Sequence, residues 1–171
     1  MFHLLRQIVK TGIKTEAYPQ PDEALRAVVQ RLQAVVLERF AGALTIRHVD
    51  AGSCNGCELE INALGNPYYN LEGLGIKFVA SPRHADLLLV TGPVSRHMET
   101  ALQRTYEAMP EPKLVVATGD CGCTGGIFGE SYASCGRVSN VIPVDVAVPG
   151  CPPTPDAIIQ GILTAISITK V

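Results

Sequence analysis

The chain has 171 residues, of which 47% are hydrophobic and 18% are charged, and its formal net charge at pH 7 is −2. This profile is typical of one globular domain with a sizeable hydrophobic core. The balance of 14 Lys+Arg against 16 Asp+Glu argues against a nucleic-acid partner, because proteins that neutralise phosphates usually carry a clear basic excess.

The N-terminal segment, residues 1–14, mixes apolar side chains with arginine and lysine in an amphipathic pattern. Such a pattern suits a groove on a partner or a membrane surface. The segment has no long apolar run with a cleavage site and no twin-arginine pair, so we predict no export signal and a cytoplasmic chain. Near the C-terminus the longest apolar stretch, residues 156–168, is too short to cross a bilayer, and we predict a core helix there and no transmembrane segment.

Further elements follow in an alternating order. A helix capped by Asp22 is predicted to reach Phe40, because apolar residues recur along it at helical spacing. Apolar, β-branched runs then predict five strands, several of them apolar nearly throughout, as in parallel strands that are covered on both faces. We therefore expect an α/β fold, an open and mostly parallel sheet in three α/β/α layers, with a helical docking segment over residues 1–42 and the α/β domain over 43–171. The strand candidates are residues 43–50, 75–80, 86–92, 113–119 and 141–150.

Five of the six cysteines come directly after predicted strands. Cys54 and Cys57 follow the first strand, Cys121 and Cys123 follow the fourth, and Cys151 follows the fifth. The carboxyl ends of parallel strands lie at one edge of a sheet, where open α/β proteins bind their ligands. Since disulfides are rare in a reducing compartment, the sequence predicts metal binding or redox chemistry at this edge.

The residues alone leave the metal open. Four thiolates suit either a tetrahedral zinc ion or an iron–sulfur cluster. Structural zinc sites usually use two short cysteine pairs close in sequence, whereas here one pair is followed by single thiols far along the chain in glycine-rich segments. This spacing favours iron–sulfur over zinc, and a thioredoxin-like redox pair would leave the other thiols unexplained.

Three motifs in order then carry a resemblance. The stretches CNGCELE, GDCGCTGG and GCPPTPDA resemble the signatures of the nickel–iron hydrogenase small subunit, and RHADLLLVTGPV is similar to a segment of its relative in respiratory complex I. The resemblance covers about residues 44–168. In that family these motifs provide the ligands of a 4Fe–4S cluster proximal to the active site. The ligands implied here are Cys54, Cys57, Cys121 and Cys151, whereas Cys123 and Cys135 fall outside the pattern.

The resemblance implies a flavodoxin-like domain that lies against a large subunit holding a nickel–iron centre. This chain would be an oxidoreductase subunit without catalytic residues of its own. Its cluster would relay electrons between a ferredoxin-type iron–sulfur subunit and the large subunit, where two protons and two electrons combine to form dihydrogen.

The subtype is indicated by departures from related patterns. Complex I has adjacent cysteines in its first motif, whereas Asn55 and Gly56 separate them here, which favours a hydrogenase. In its length and its motifs, this chain most resembles the complex-I-like, membrane-associated hydrogenases of the formate hydrogenlyase and energy-converting types. We accordingly expect one cluster and a peripheral position on the inner face of the membrane, in contact with membrane-arm subunits through residues 1–42. Two alternatives stay open, namely a complex-I-type cluster subunit that passes electrons to a quinone and a zinc-stabilised interaction domain without redox activity.

Several polar residues are considered for a role at the cluster. Glu60 lies one helical turn past Cys57 and matches a family position near the cluster, so it is predicted to relay protons or tune the potential, unless it only pairs at the surface. Asp120 is interpreted as a turn residue. The four scattered histidines, His3, His48, His84 and His97, show no ligand spacing and are predicted to be structural.

Overall fold

The computed structural model describes residues 2–12, 23–41 and 43–168. Helices and strands alternate along the chain after two N-terminal helices. The helices are α1 (Phe2–Thr11), α2 (Glu23–Phe40), α3 (Gly56–Ala63), α4 (Arg96–Glu107), α5 (Gly119–Thr124) and α6 (Pro155–Ser167). The strands are β1 (Leu44–Asp50), β2 (Ile76–Phe78), β3 (Leu87–Thr91), β4 (Leu114–Thr118) and β5 (Val146–Val148).

The five strands form one parallel sheet in the order β2-β1-β3-β4-β5. In the central register Val49 pairs with Val90, and Val90 pairs with Ala117. This is the flavodoxin-like strand order, in which the chain reverses direction across the sheet between β1 and β3. The predicted fold is confirmed.

Both faces of the sheet are covered. All five residues of β3 are buried, and alternate residues of that strand belong to two separate cores. Leu87 and Leu89 pack in the core that includes α2 and α6, whereas Leu88 and Val90 pack with Leu102 of α4. Because a strand between two helical layers has no solvent face, its sequence is apolar at every position rather than at every second one.

The two N-terminal helices differ in packing. In α2, Leu32 and Val36 are buried in the main core, and the guanidinium of Arg39 donates a hydrogen bond to the carbonyl of Ile166 at 2.8 Å. In α1, no residue is buried. The predicted helix up to Phe40 is confirmed, whereas the predicted cap, Asp22, lies outside the described residues, and the division at residue 42 stays a prediction.

The last strand is shorter than predicted. Only Val146–Val148 pair with β4, although the apolar run begins at residue 141. Ile142 is buried in the second core instead, and Pro143 lacks the N–H that a ladder position needs. The backbone N–H of Val115 donates to the carboxylate of Asp145 at 2.8 Å, which completes the edge of the sheet where β5 begins.

The C-terminal apolar stretch forms α6, as predicted, with the Thr154 hydroxyl accepting a hydrogen bond from the Ala157 N–H at 3.3 Å at its start. Within the described ranges, no helix combines the length and the apolar character that spanning a membrane requires.

Candidate functional site

Four cysteines line one cavity at the carboxyl ends of the strands, as the sequence predicted. The cavity has a volume of about 130 Å³. One water needs a cavity of about 10–15 Å³ by the same measure, so the space has room for a group of several atoms. The residues that line it are Ser53, Cys54, Gly56, Cys57, Gly92, Asp120, Cys121, Gly150, Cys151 and Pro152.

The four thiols come from different local structures. Cys54 lies in the loop after β1, and Asn55 then adopts a left-handed conformation, with φ 70°, directly before α3 begins. Cys57 is in the first turn of α3, and Cys121 lies inside the short helix α5. Two of the four cysteines, Cys57 and Cys121, therefore lie on helices. Cys151 lies in the loop after β5 and, like Cys54, is outside the helices.

Two glycines bring the backbone against the thiols. At Gly119, φ is +85°, and a Cβ there would lie 2.6 Å from the sulfur of Cys57. At Gly126, φ is +54°, and a Cβ would lie 2.8 Å from the sulfur of Cys121. Both distances are far below van der Waals contact, so only a residue without a side chain fits at either position. The backbone at Gly119 and Gly126 thus lies directly against the sulfur atoms of Cys57 and Cys121, although neither glycine lines the cavity itself.

Asp120 joins the two segments that carry Cys121 and Cys151. Its carboxylate accepts a hydrogen bond from the N–H of Gly150 at 2.8 Å, and its own N–H donates to the Gly150 carbonyl at 2.8 Å. This pair of bonds ties the residue before Cys121 to the residue before Cys151. Sequence reasoning interpreted Asp120 as a turn residue, because the partner loop lies thirty residues further along the chain.

The electrostatics of the cavity disfavour free thiolates. Burial raises the pKa of Cys57 to about 12, and the negative charges of Glu58 and the other three cavity thiols add to the effect. Burial likewise raises the pKa of Cys121, with a further contribution from Cys151. A cationic metal centre would reverse this balance, because ligation to a cation holds thiols in their deprotonated form. Four thiols facing one cavity are the donor type that an iron–sulfur cluster uses, whereas no group of three or more His, Cys, Asp or Glu among the described residues is placed to hold a single metal ion.

The other two cysteines lie apart from the cavity wall. The thiol of Cys123 is directed back toward β4, where it donates to the carbonyl of Ala117 at 3.5 Å. Cys135 is buried in the second core, and its pKa is raised by burial and by a hydrogen bond with Glu99 of α4. Neither residue is placed as a fifth ligand.

A carboxylate that sequence reasoning did not select links α3 to the sheet. Glu58 accepts hydrogen bonds from the hydroxyls of Thr91, at the end of β3, and Ser53, the latter at 2.6 Å. Glu60, the predicted candidate, is half-buried on the same helix. Two residues along a helix correspond to a rotation of about 200°, so the two carboxylates point in nearly opposite directions. The predicted role of Glu60 stays a prediction.

Exposed apolar side chains follow the cavity along the chain. In the segment after α5, Ile127 is 94% exposed and Tyr132 is 98% exposed. Phe128 and, on α3, Leu59 are exposed as well. Several exposed large apolar side chains in one short segment are typical of a surface that another protein covers.

Several known proteins are similar to this chain in sequence. The chain is 42% identical over 142 residues to formate hydrogenlyase subunit 7 of Escherichia coli, a match that covers 83% of this chain and 56% of that protein. It is 50% identical over 119 residues to the "Probable membrane-bound hydrogenase subunit mbhJ" of Pyrococcus furiosus, covering 70% of this chain and 71% of the relative. It is also 48% identical over 157 residues to a subunit of the NADH-quinone oxidoreductase of Heliobacterium modesticaldum, covering 91% and 89%.

A solved structure is similar at the level of the fold and the sequence. A chain of the membrane-bound sulfane sulfur reductase, an archaeal respiratory membrane complex, superposes with a TM-score of 0.65 at 36% identity, over 77% of this chain and 73% of that one. The family described as the 20 Kd subunit of NADH ubiquinone oxidoreductase matches residues 54–165, which include all four cavity cysteines. Since the match spans well over half of the chain and contains the whole set of cavity thiols, the protein belongs to this family.

Proposed function

We propose that this chain is the electron-transfer subunit of a membrane-bound nickel–iron hydrogenase complex and holds one 4Fe–4S cluster. The observation that carries the proposal is the convergence of four thiols, brought from three strand ends, on one cavity. The hydrogenase and NADH-quinone oxidoreductase relatives support an oxidoreductase complex as its setting. The ligands are Cys54, Cys57, Cys121 and Cys151.

When bound, such a cluster accepts and donates single electrons. The chain's own residues hold it. Gly119 and Gly126 let the backbone approach the sulfur atoms, and the hydrogen bonds between Asp120 and Gly150 hold the segments of Cys121 and Cys151 together. The reduction potential of an iron–sulfur cluster depends on hydrogen bonds, net charge and solvent exposure. These contacts therefore help to set the potential at which the cluster takes up an electron.

The metal is tested by composition and spectroscopy. We expect the purified full chain to be brown, with broad absorbance near about 400 nm, four irons and four sulfides per chain, and an EPR signal on reduction. A colourless protein with one zinc per chain would support the interaction domain without redox activity and would refute the electron-transfer function.

The partner is supported by the surface next to the cavity. Ile127, Phe128 and Tyr132 are exposed apolar side chains in the segment that follows the helix of Cys121. We infer that the hydrogenase large subunit covers this area, since a cluster must lie close to the nickel–iron site with which it exchanges electrons. A ferredoxin-type subunit would donate the electrons to the cluster of this chain.

A quinone-linked role is the second candidate, because 48% identity to the NADH-quinone oxidoreductase relative extends over 91% of this chain. The separation of Cys54 from Cys57 by Asn55 and Gly56 supports the hydrogenase. The discriminating measurement is made on the complex purified through this chain. Dihydrogen evolution from reduced viologen together with nickel in the large subunit is expected for a hydrogenase, whereas a nickel-free partner and quinone reduction would establish the alternative.

The N-terminal helix supports a peripheral position on the membrane. Its apolar side chains are all exposed, with Phe2 at 88%, and they share one face of the helix. The opposite face carries Arg6 and Lys10 and no acidic residue. An apolar face beside cationic side chains matches an anionic membrane surface or its junction with membrane-arm subunits. We infer that α1 docks the complex there.

Charged residues in the apolar face of α1 should release the complex from membranes. Burial of a leucine or isoleucine side chain contributes about 1.5–3 kcal/mol, so Leu5→Glu with Ile8→Glu should lower the ratio of bound to free complex more than about tenfold. The control, Gln7→Glu, adds a charge on the polar face and should retain most binding. The measurement is the partition of the complex between membrane and supernatant fractions, and equal partition of both variants would refute docking through α1.

A further inference from the structure

The last residues of three strands form a row that leads directly into the cysteine-lined cavity. In this row Thr91 of β3 pairs with Thr118 of β4, and Thr118 pairs with Val148 of β5. Each of the three precedes, by one or two positions, a residue that lines the cavity. Thr118 is completely buried, at 0% exposure, and its hydroxyl oxygen has no hydrogen-bond partner. No other buried side-chain oxygen in the described part of the chain lacks one.

The hydroxyl of Thr118 is unfavourable where it lies, because a buried donor has lost its hydrogen bonds to water and here gains none in return. Buried polar groups in native proteins are almost always paired. The neighbouring hydroxyl of Thr91 illustrates the rule, since it donates to Glu58 and lies 3.1 Å from Nε2 of His48. A valine would fill the space of Thr118 without this penalty. The threonine therefore indicates an acceptor that the protein's own groups do not provide.

The side chain of Thr118 lies on the face of the sheet that α3 covers. Along β4, Val116 packs in the core that includes α2 and α6, whereas Ala117 packs in the second core. Successive side chains of a strand point to opposite faces, so Thr118 shares the face of Val116. Ile61 of α3 packs in that same core. The hydroxyl is therefore on the side of the sheet from which α3 carries Cys57.

The first turn of α3 is held close to this row. A Cβ at Gly119 would lie 2.6 Å from the sulfur of Cys57, so the backbone that directly follows Thr118 lies against this ligand. On the neighbouring strand, the hydroxyl of Thr91 reaches Glu58, the residue after Cys57. The helix that carries Cys57 is thus bonded to one threonine of the row and packed against the backbone next to the other.

We propose that the Thr118 hydroxyl donates a hydrogen bond to a sulfur atom of the iron–sulfur cluster, beside its ligand Cys57, and thereby raises the reduction potential of the cluster. The inference rests on the cluster of the proposed function and holds for a hydrogenase as well as for a quinone-linked complex. A neutral hydroxyl keeps its proton, so the cluster takes up no proton through Thr118 and the effect is the same at every pH.

The direction of the effect follows from the charge on the acceptor. Reduction adds negative charge to the cluster, and a hydrogen bond to a charged acceptor is stronger than one to a less charged acceptor. The hydroxyl therefore stabilises the reduced cluster more than the oxidised one. Hydrogen bonds to the sulfur atoms are among the factors that set the potential of such clusters. Removal of this donor should make reduction harder.

A potentiometric titration of the complex purified through this chain, followed by EPR at one pH, tests the effect. The signal of this chain's cluster is identified by its loss in Cys151→Ser. Thr118→Val keeps the branched shape and removes only the hydroxyl, so the ratio of reduced to oxidised cluster at a fixed potential should fall about tenfold. For one electron, this corresponds to a midpoint potential that is lower by about 59 mV. Thr118→Ser keeps the hydroxyl and should give a ratio close to the natural one.

A second readout follows the proton of the hydrogen bond. After exchange into deuterium oxide, ENDOR spectroscopy of the reduced cluster should show the hydroxyl as an exchangeable proton in the natural protein and in Thr118→Ser, and this signal should be missing in Thr118→Val. The matched control is Thr105→Val. It removes a hydroxyl that donates to the Ala101 carbonyl at 2.8 Å within α4, a helix that does not line the cavity. The potential and the proton signal should both be unchanged in this control.

The possible results separate the hydrogen bond from the function. An unchanged potential in Thr118→Val, or an equal decrease in Thr118→Val and Thr118→Ser, overturns the hydrogen bond and leaves the electron-transfer function intact. The absence of any cluster signal in the natural protein overturns the proposed function itself. Should Thr118→Val lose the cluster, Thr118→Ala removes the same hydroxyl, and a reduced cluster without an exchangeable proton in the natural protein overturns the bond by itself.

Discussion

Replacing Cys151 by serine should abolish the cluster. A serine hydroxyl is a far poorer ligand for iron than a thiolate, and the other three thiols cannot close the fourth corner of a cubane. We expect iron and sulfide to fall below about a tenth of the natural content and the EPR signal to disappear. Cys121→Ser should give the same result, because both residues line the cavity.

The matched control is Cys135→Ser, which changes the same atom in a thiol outside the cavity. Cys135 is 5% exposed in the second core, so the substitution should cost about 1 kcal/mol of unfolding free energy. Its iron content should equal that of the natural protein. Cluster loss in Cys135→Ser, with retention in Cys151→Ser, would contradict the ligand set.

Gly126→Ala should lower the iron content nearly as much as Cys151→Ser does, although it removes no ligand. The added Cβ would lie 2.8 Å from the sulfur of Cys121 and 3.2 Å from its Cα, and the backbone atom cannot rotate away. The clash should lower the free energy of unfolding by about 1–3 kcal/mol, in addition to the strain of an alanine at positive φ. It should also displace the Cys121 thiol from the cluster. We expect a large loss of bound iron.

Gly129→Ala separates the clash from the strain. Gly129 has φ +52°, close to the +54° of Gly126, but a Cβ there would meet no atom within 4 Å. Both variants therefore share the penalty of about 1–2 kcal/mol for a left-handed alanine, and only Gly126→Ala adds the contact with Cys121. Iron content and thermal unfolding of the two variants are compared directly. Equal iron loss in both would show that the close approach to Cys121 does not shape the cluster site.

The strands and the convergence of the thiols were predictable because they depend on local patterns and a general rule of topology. Apolar runs such as 86–92 leave no solvent face, which indicates buried parallel strands, and residues that follow parallel strands share one sheet edge. Cys54, Cys57, Cys121 and Cys151 accordingly meet where the sequence predicted. The resemblance in the three motifs added the type of cluster that spacing alone had left open.

Other contacts could not be predicted from the sequence, because each depends on which segment, far along the chain, packs against the residue in question. The bond of Asp120 to the Gly150 N–H joins residues thirty positions apart, and no feature of GDCGCT indicates it. The choice of Glu58 over Glu60 as the partner of Thr91 depends on the rotation of α3 about its axis, which is set by its packing on the sheet. Likewise, the apolar run from residue 141 was predicted as strand, but its first half is needed to fill the second core.

The sequence by itself therefore determined the alternation of strands and helices, the family and the candidate ligands, because hydrophobic periodicity and motif spacing are properties of short segments. The tertiary structure alone decided which glycines lie against sulfur atoms and which carboxylate of α3 accepts hydrogen bonds from Thr91 and Ser53. These features depend on distances of a few ångströms between segments far apart in the chain, and such distances are set by packing of the whole sheet and its helices.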